Sequence, residues 1–296
     1  MLCEEGISMG LIQKLFQKRE NVEVVENRTE TDVVTLNFYQ ALKMATEKPV
    51  TYFTLEKKKT EIFDCKIGGA YFIPKDQEIP IDKISGKPLF LLAQINFSKI
   101  KPIEHFPTEG LLQIFISGDD DVYGCDFDHP TVQSQWSIRY LDEIPEKIPD
   151  DRVFLPQANE ETMLPFPNEA EYALVEHHTT QTVSINDYRF DDCFSSACKN
   201  FLKEGQNTIW DLDNDIRDSL IDKLKTYACQ INGYPCFTQD DPRENMSGEI
   251  PEILLFQLDT VEDIMWGDSG VANFFINESD LRRKDFSKVV YNWDCF

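Results

Sequence analysis

Three short blocks recur in the same order in the two halves of this 296-residue chain, and that recurrence limits the fold more than any other feature. KIGGAYFIPKD at 66–76 resembles QINGYPCFTQDD at 230–241, LFLLAQINF at 89–97 resembles ILLFQLDT at 253–260, and GLLQIFISGDD at 110–120 resembles GVANFFINESD at 270–280. Spacing is nearly kept: Gln94 lies 16 residues before Gly110, and Gln257 lies 13 before Gly270. Each copy reads as a glycine turn followed by two strands, a unit too small to close a core alone. Two copies pairing under helices would close one. The expected fold is therefore α+β, internally duplicated, with largely antiparallel sheet units packed with helices.

The remaining patterns fit around this frame. Apolar residues at helical spacing (Ile7, Leu11, Leu15; Leu36, Tyr39, Leu42, Ala45) predict helices over 7–20 and 35–46. Strands are predicted at VTYFTLEKK, PLFLLAQINF, GLLQIFIS, QWSIRYLDEI, ILLFQLDT, VANFFIN and KVVYNW. Five prolines between 143 and 170 forbid a continuous element there and predict an extended connector. Helices follow at about 185–203 and 213–228, the second with Ile216, Leu220, Leu224 and Tyr227 on one face. Residues 1–48 are read as N-terminal helices. Residues 49–296 are read as a domain with pseudo-repeats at about 66–120 and 230–280, joined by the proline-rich and helical segment, the whole forming one structural unit.

Alternate residues of a strand share a face, so Phe90, Leu92, Gln94 and Asn96 point one way, as do Ile253, Leu255, Gln257 and Asp259. Gln113 and Asn273 correspond as well. Amides thus recur in both halves. They are either buried and bonded to neighbouring backbone or form a polar binding surface across the two repeats.

Charge narrows the partners. The formal balance is 29 − 53 = −24, which repels phosphate backbones and so argues against nucleic acid and anionic membrane surfaces. It suits a basic protein partner, or solubility alone. The longest unbroken apolar run, Leu89 to Ala93, is far short of the ~20 residues of a membrane-spanning helix. Two glutamates stand where a signal peptide would carry positive charge. Eight scattered cysteines include no C-x-x-C pair. A reduced, cytoplasmic protein is expected.

IGGAYFIP, PLFLLAQINFSKI, HFPTEGLLQIFIS, NGYPCFTQDDPR, LLFQLD, IMWGDSGVANFFI and DFSKVVYNWDCF together resemble the YwqG family, over roughly residues 35–296. The family is a mostly bacterial domain of unknown function. The resemblance implies a cytoplasmic α+β fold for a YwqG-like domain, and supplies no catalytic residue, substrate or cofactor. Ala70 stands where the family has a proline before the tyrosine, and Asn232 where it has a glycine.

Few constellations carry chemistry. The tetrapeptide GDSG at 267–270 surrounds the nucleophile in one class of serine protease, but Val271 departs from that motif and no histidine stands in a matching context. The G-x-S-x-G elbow does not fit either. The repeat aligns Asp268-Ser269-Gly270 with Thr108-Glu109-Gly110, so the stretch is read as a turn launching a strand. Asp119, Asp121 and Gly124 begin like a calcium loop, but Pro130 occupies the position of the bidentate glutamate. Asp211, Asp213 and Asp215 read as helix capping. No metal site and no cofactor is expected. Adjacent His177 and His178 point to opposite faces of a strand.

Trp266 and Trp293 lie beside Asp268 and Asp294, and an aromatic next to a carboxylate can take a cationic or sugar-like group. The candidate ligand-binding residues are therefore Gln94, Asn96, Gln257, Asp259, Trp266, Asp268, Trp293 and Asp294. No residue is read as catalytic. The expected function is a non-enzymatic binding module for a basic protein, such as a toxin to be neutralised. The alternative is an enzyme of unrecognised type with its site between the repeats.

Overall fold

The computed structural model describes residues 29–296, and the predicted helix over 7–20 lies outside them. The described chain divides into a helical unit, residues up to Ala45 with Asp191–Leu224, and a sheet unit, Thr46–Phe190 with Lys225–Phe296. No helix among the described residues is long and apolar enough to cross a membrane.

In the helical unit, α1 (Glu30–Thr46) begins behind Thr29. The Thr29 hydroxyl accepts from the Asp32 N–H at 3.1 Å while the Asp32 carboxylate accepts from the Thr29 N–H at 3.0 Å, a reciprocal cap. α1 buries Phe38 and Leu42, and Phe38 stacks on Phe194 of α2 (Phe190–Cys198) at 5.8 Å. The predicted helix over 213–228 is cut to α3 (Asn214–Ile221). Its last turn tightens through bonds from Lys223 N–H to Leu220 C=O and Leu224 N–H to Ile221 C=O, the i to i+3 pattern that ends many helices. Tyr227, predicted on that helix, instead stacks on Tyr52 of the sheet unit at 4.1 Å.

The sheet unit holds β1 (Lys48–Lys57), β2 (Lys66–Gly68), β3 (Tyr71–Phe72), β4 (Phe90–Asn96), β5 (Leu111–Ile116) and β6 (Trp136–Leu141). It continues with β7 (Val153–Phe154), β8 (Glu171–Gln181), β9 (Cys229–Asn232), β10 (Ile253–Asp259), β11 (Val271–Ile276), α4 (Glu278–Arg282) and β12 (Val290–Asp294). Ten strands form one antiparallel sheet in the order β12-β11-β10-β9-β1-β8-β2-β4-β5-β6, and β3 pairs with β7 separately. All the strands predicted from sequence are present. The long central strand β8, read from sequence only at His177 and His178, pairs with β1 from Lys48 opposite Gln181 to Lys57 opposite Tyr172. Between 143 and 170, the only regular elements are a 3-10 turn at Asp150–Arg152 and two-residue β7, as the prolines dictate.

Strand order runs outward alike from the central β1–β8 pair. On one side lie a short strand ending in a left-handed turn, β2, then the β4–β5 hairpin and β6; on the other lie β9, the β10–β11 hairpin and β12. The left-handed residues are Gly68 and Gly69 (φ +69° and +77°) and Asn232 and Gly233 (φ +58° and +71°). Asparagine at 232 fits because it tolerates this region better than other residues with side chains. Both hairpins carry a register shift at the same place, between Leu91 and Ala93 and between Leu254 and Phe256.

The inner face buries one large cluster that includes Phe53, Ile67, Ile95, Ile114, Leu174, Phe256 and Phe274. Trp136 on the β6 edge meets Tyr291 on the β12 edge at 5.4 Å and Phe274 at 6.0 Å, so the sheet curls until its two ends close over this core. Each such side chain contributes roughly 1.5–3 kcal/mol on burial.

Candidate functional site

The repeated amides lie in two rows across the sheet. In one, register sets Lys66, Gln94, Gln113 and Arg139 side by side; in the other, Gln230, Gln257, Asn273 and Asn292. Gln94, Gln113, Gln230, Gln257 and Asn273 are 0% exposed. Their bonds go to backbone that crosses the sheet. Gln94 Nε2 donates to the carbonyls of Ile62 (2.9 Å) and Asp64 (2.7 Å), and Gln113 Nε2 donates to Gln94 Oε1 (2.9 Å). Gln257 Nε2 donates to Tyr227 C=O (2.6 Å), and its Oε1 accepts from Cys236 N–H (2.8 Å). Asn273 Nδ2 donates to Cys236 C=O (2.9 Å). Lys66 and Gln230 reach equivalent carbonyls, those of Ala70 (2.6 Å) and Tyr234 (2.8 Å). Asn96 donates to Phe63 C=O and accepts from Ser98 N–H. The amides clamp two loops, one per half, and present no exposed surface.

Trp266 and Trp293 belong to the inner core. With Tyr123 they form a triangle of rings at 5.2, 5.2 and 6.1 Å. Trp293 Nε1 donates to Val122 C=O at 3.0 Å, while the buried Trp266 Nε1 has no partner. Asp268 is exposed on the turn outside this triangle. Gly267 and Ser269 are left-handed (φ +51° and +61°), and a Cβ on Gly270 would stand 1.9 Å from Asp294 C=O. GDSG is a tight turn closed against β12.

The four histidines bond elsewhere. His105 meets Arg282 and Glu278, His129 meets Asp126, and His177 meets Thr54 and stacks on Tyr52 at 4.9 Å. His178, on the opposite face of β8 from His177, bonds Thr51 Oγ1 through Nδ1 (3.0 Å) and Glu176 through Nε2 (3.0 Å). This hydroxyl–imidazole–carboxylate chain has the composition of a nucleophilic triad, but Thr51 is 2% exposed, so its hydroxyl is closed to a substrate.

Two sequence candidates do come together. Asp259 and Asp294 both lie opposite Val271, on the strands either side of β11, about two strand spacings or ~10 Å apart. Asp294 Oδ2 accepts from the N–H groups of Thr238 (3.0 Å) and Gln239 (2.8 Å), while Oδ1 is buried without a partner. Asp259 Oδ1 accepts from Thr260 N–H at 2.7 Å. Burial pushes the Asp259 carboxyl up to about 6, with the Thr260 N–H opposing and the Asp294 charge reinforcing it. Burial also raises the Cys236 thiol, and both aspartates add to that. The local field therefore favours an incoming positive charge.

The sheet unit also carries clefts that none of the eight candidates lines. One of about 340 Å³ lies over Phe90 and Phe154, with Lys87 paired to Asp119 at 2.7 Å. A second of about 580 Å³ shares Pro156, Gln157 and Asn159 with it. A third, of about 780 Å³, lies between 72–77 and 140–152. These are sizes that hold small ligands. The proline-rich connector forms a wall of each, and its proline spacing was the one sequence signal for them.

No curated protein matches the chain. The family described as Domain of unknown function (DUF1963) matches residues 65–295, which takes in every strand from β2 to β12. The chain belongs to this family of proteins sharing a domain of unknown function.

Proposed function

We propose that this protein is a non-enzymatic, cytoplasmic binding module for a basic protein partner, such as a toxin that it neutralises. The observation that carries this reading is the Asp259–Asp294 pair, in which one carboxylate oxygen is buried without a partner and the other carboxyl is pushed up to about 6. A Lys or Arg side chain brought by a partner to these half-buried carboxylates would offset their mutual repulsion. The −24 charge would speed its approach. We further infer kinship with the YwqG family, and that the two five-stranded halves are copies of one unit. The shared register shifts, left-handed turns and amide clamps support duplication. The enzyme reading, a site between the repeats using Gln94, Gln257, Trp266 and Asp268, has the burial of the first three against it.

The test is titration of a fluorescent lysine-rich peptide into the full chain at low and high salt. Binding should weaken with salt, and Asp259→Asn with Asp294→Asn should reduce it by about tenfold or more. Neutralising two exposed aspartates elsewhere, Asp121 and Asp128, should cost far less. Equal losses in the two double variants would reduce the pair to ordinary surface charge and sink the reading.

A further inference from the structure

The cleft of about 340 Å³ over Phe90 and Phe154 has two kinds of wall. Its apolar side comes from β4 and β7: Phe90 opens β4 and Phe154 ends β7, both half-buried, and Pro88 and Pro156 line the cleft with them. Half-covered rings leave area that an apolar group can still bury. Gly118 sets how closely the walls approach. A Cβ there would stand 2.9 Å from both the Phe90 ring and the Thr162 methyl group, so glycine lets the connector close against the ring. Met163 N–H holds the connector there by donating to Gly118 C=O at 2.9 Å. A turn stiffens it further, with Asn159 N–H donating to Thr162 Oγ1 and Glu161 N–H to Asn159 Oδ1, both at 2.9 Å. The cleft is therefore built by the protein's own bonds, as ligand pockets usually are.

The other wall is charged with both signs. Lys87 Nζ donates to Asp119 Oδ1 at 2.7 Å. That bond and the Asp119 charge raise the Lys87 amine, with desolvation opposing and Glu161 and Asp82 adding, so it stays an ammonium. Among the described residues Lys87 is the one donor to the Asp119 carboxylate. Neither partner is sealed by the pairing, since the Lys87 side chain is 66% exposed and that of Asp119 21%. Asp119 is fixed from behind: its N–H donates to Ser117 Oγ (3.3 Å), and that hydroxyl donates to the buried Asp82 carboxylate (2.8 Å). Exposed Glu161 gives the rim a second carboxylate.

These walls select a ligand by its charges. A lone amine would compete with Lys87 for Asp119, and a lone carboxylate would compete with Asp119 for Lys87 while facing Glu161. A molecule bearing both signs on a small head group complements all three. We propose that this cleft binds a free α-amino acid with an apolar side chain. The side chain lies against Phe90 and Phe154, the ammonium meets Asp119 and Glu161, and the carboxylate meets Lys87. A volume of about 340 Å³ is at the low end of the ~300–1,000 Å³ that ligand pockets span, which favours so small a molecule over a peptide. Neither Asp259 nor Asp294 lines this cleft, so the proposal stands apart from the reading of that pair.

The test is titration calorimetry of the full chain with L-phenylalanine, and with phenethylamine, phenylpropionate and glycine, which lack in turn the carboxylate, the ammonium and the apolar side chain. L-Phenylalanine should bind with a Kd of roughly 1 mM or tighter, and each of the other three about tenfold or more weakly. Lys87→Met, at an exposed position, should weaken L-phenylalanine about tenfold. The same variant should bind phenethylamine at least as well as wild type, because the amine no longer competes with Lys87 for Asp119. No saturable binding of L-phenylalanine up to ~10 mM, equal affinity for any of the other three, or unchanged L-phenylalanine binding in Lys87→Met would each overturn the proposal.

Discussion

Arg243 and Asp187, 56 residues apart in the chain, form an ion pair at 3.1 Å with both side chains 0% exposed. The pair ties the turn before α2 to the 3-10 turn at Pro242–Asn245 that precedes β10. A buried pair is weak evidence of net stabilisation, but removing one partner strands the other charge. Arg243→Met would strand Asp241 and leave Asp187 with Arg189 as its one ion-pair partner. Its expected cost is about 3–5 kcal/mol, read as a lower urea midpoint at unchanged slope. Arg243→Lys should recover only part of this, because an ammonium cannot reproduce the forked contact. Burial pushes the Asp187 carboxyl up, but Arg189 and Arg243 hold it below its ordinary 3.8. Its contribution is therefore present above pH 3.8 and lost as pH falls through the lower folded value.

Asp259 should behave in the opposite sense. Its folded carboxyl titrates at about 6, above the ordinary 3.8, so the folded state binds the extra proton between those values. The cost of ionising it is complete above pH 6 and absent below 3.8. Asp259→Asn should accordingly raise stability above pH 6 by on the order of 1–3 kcal/mol, with the gain vanishing in acid. Thermal unfolding at pH ~7.5 and ~4 reads both limits. Combined with weaker peptide binding, this would mark a site that holds strain for function. A variant less stable at both pH values would show that the carboxylate is part of the scaffold.

The elements legible in the sequence were those whose pattern is local. β4, β5, β10 and β11 announce themselves through apolar runs and flanking glycines. β8 was legible only around His177 and His178, and its extent was not, because its faces are mixed: Tyr172 and Leu174 give way to Glu176 and His178 on one face, and Ala173 and Val175 to His177 on the other. What holds those polar residues is β1, more than a hundred residues earlier. The amides stand out in the sequence, but only register and the crossing loops reveal that backbone carbonyls and N–H groups take the bonds of Gln94, Asn96 and Gln257. Asp241-Pro242-Arg243 could have been read as a capped turn with proline at its first position, yet nothing local ties it to Asp187.

The amide clamps should be independently costly. Gln94→Leu keeps the bulk but leaves the carbonyls of Ile62 and Asp64 and the amide of Gln113 without a partner. Gln257→Leu does the same to Tyr227 C=O and Cys236 N–H. Each should destabilise by on the order of 2–4 kcal/mol, since buried groups left unbonded lose about 1–3 kcal/mol apiece. The residues lie on opposite sides of the central strand pair, so the double variant should approach the sum. Hydrogen exchange should show the local opening at 61–66 in one variant and at 226–236 in the other. Wild-type protection in both loops would mean that the clamps do not hold them.

The turn at 267–270 separates serine from glycine as the residue that matters. Ser269 is exposed and left-handed, a conformation that costs a residue with a side chain more than it costs glycine. Ser269→Ala should therefore stay within ~0.5 kcal/mol of wild type, and Ser269→Gly should gain up to ~1 kcal/mol. Gly270 has no such latitude. A methyl there would sit 1.9 Å from Asp294 C=O, so β11 and β12 must part where Val271 faces Asp294. At Gly110, which likewise precedes a strand, a Cβ would stand 2.6 Å from Leu141 C=O where Leu111 faces Leu141. Gly270→Ala should cost more than Gly110→Ala, by thermal unfolding, and each should exceed ~2 kcal/mol. Gly270→Ala should also weaken binding of the basic peptide, because parting β11 from β12 draws Asp294 away from Asp259. Full binding in a folded Gly270→Ala protein would place the peptide elsewhere on the surface.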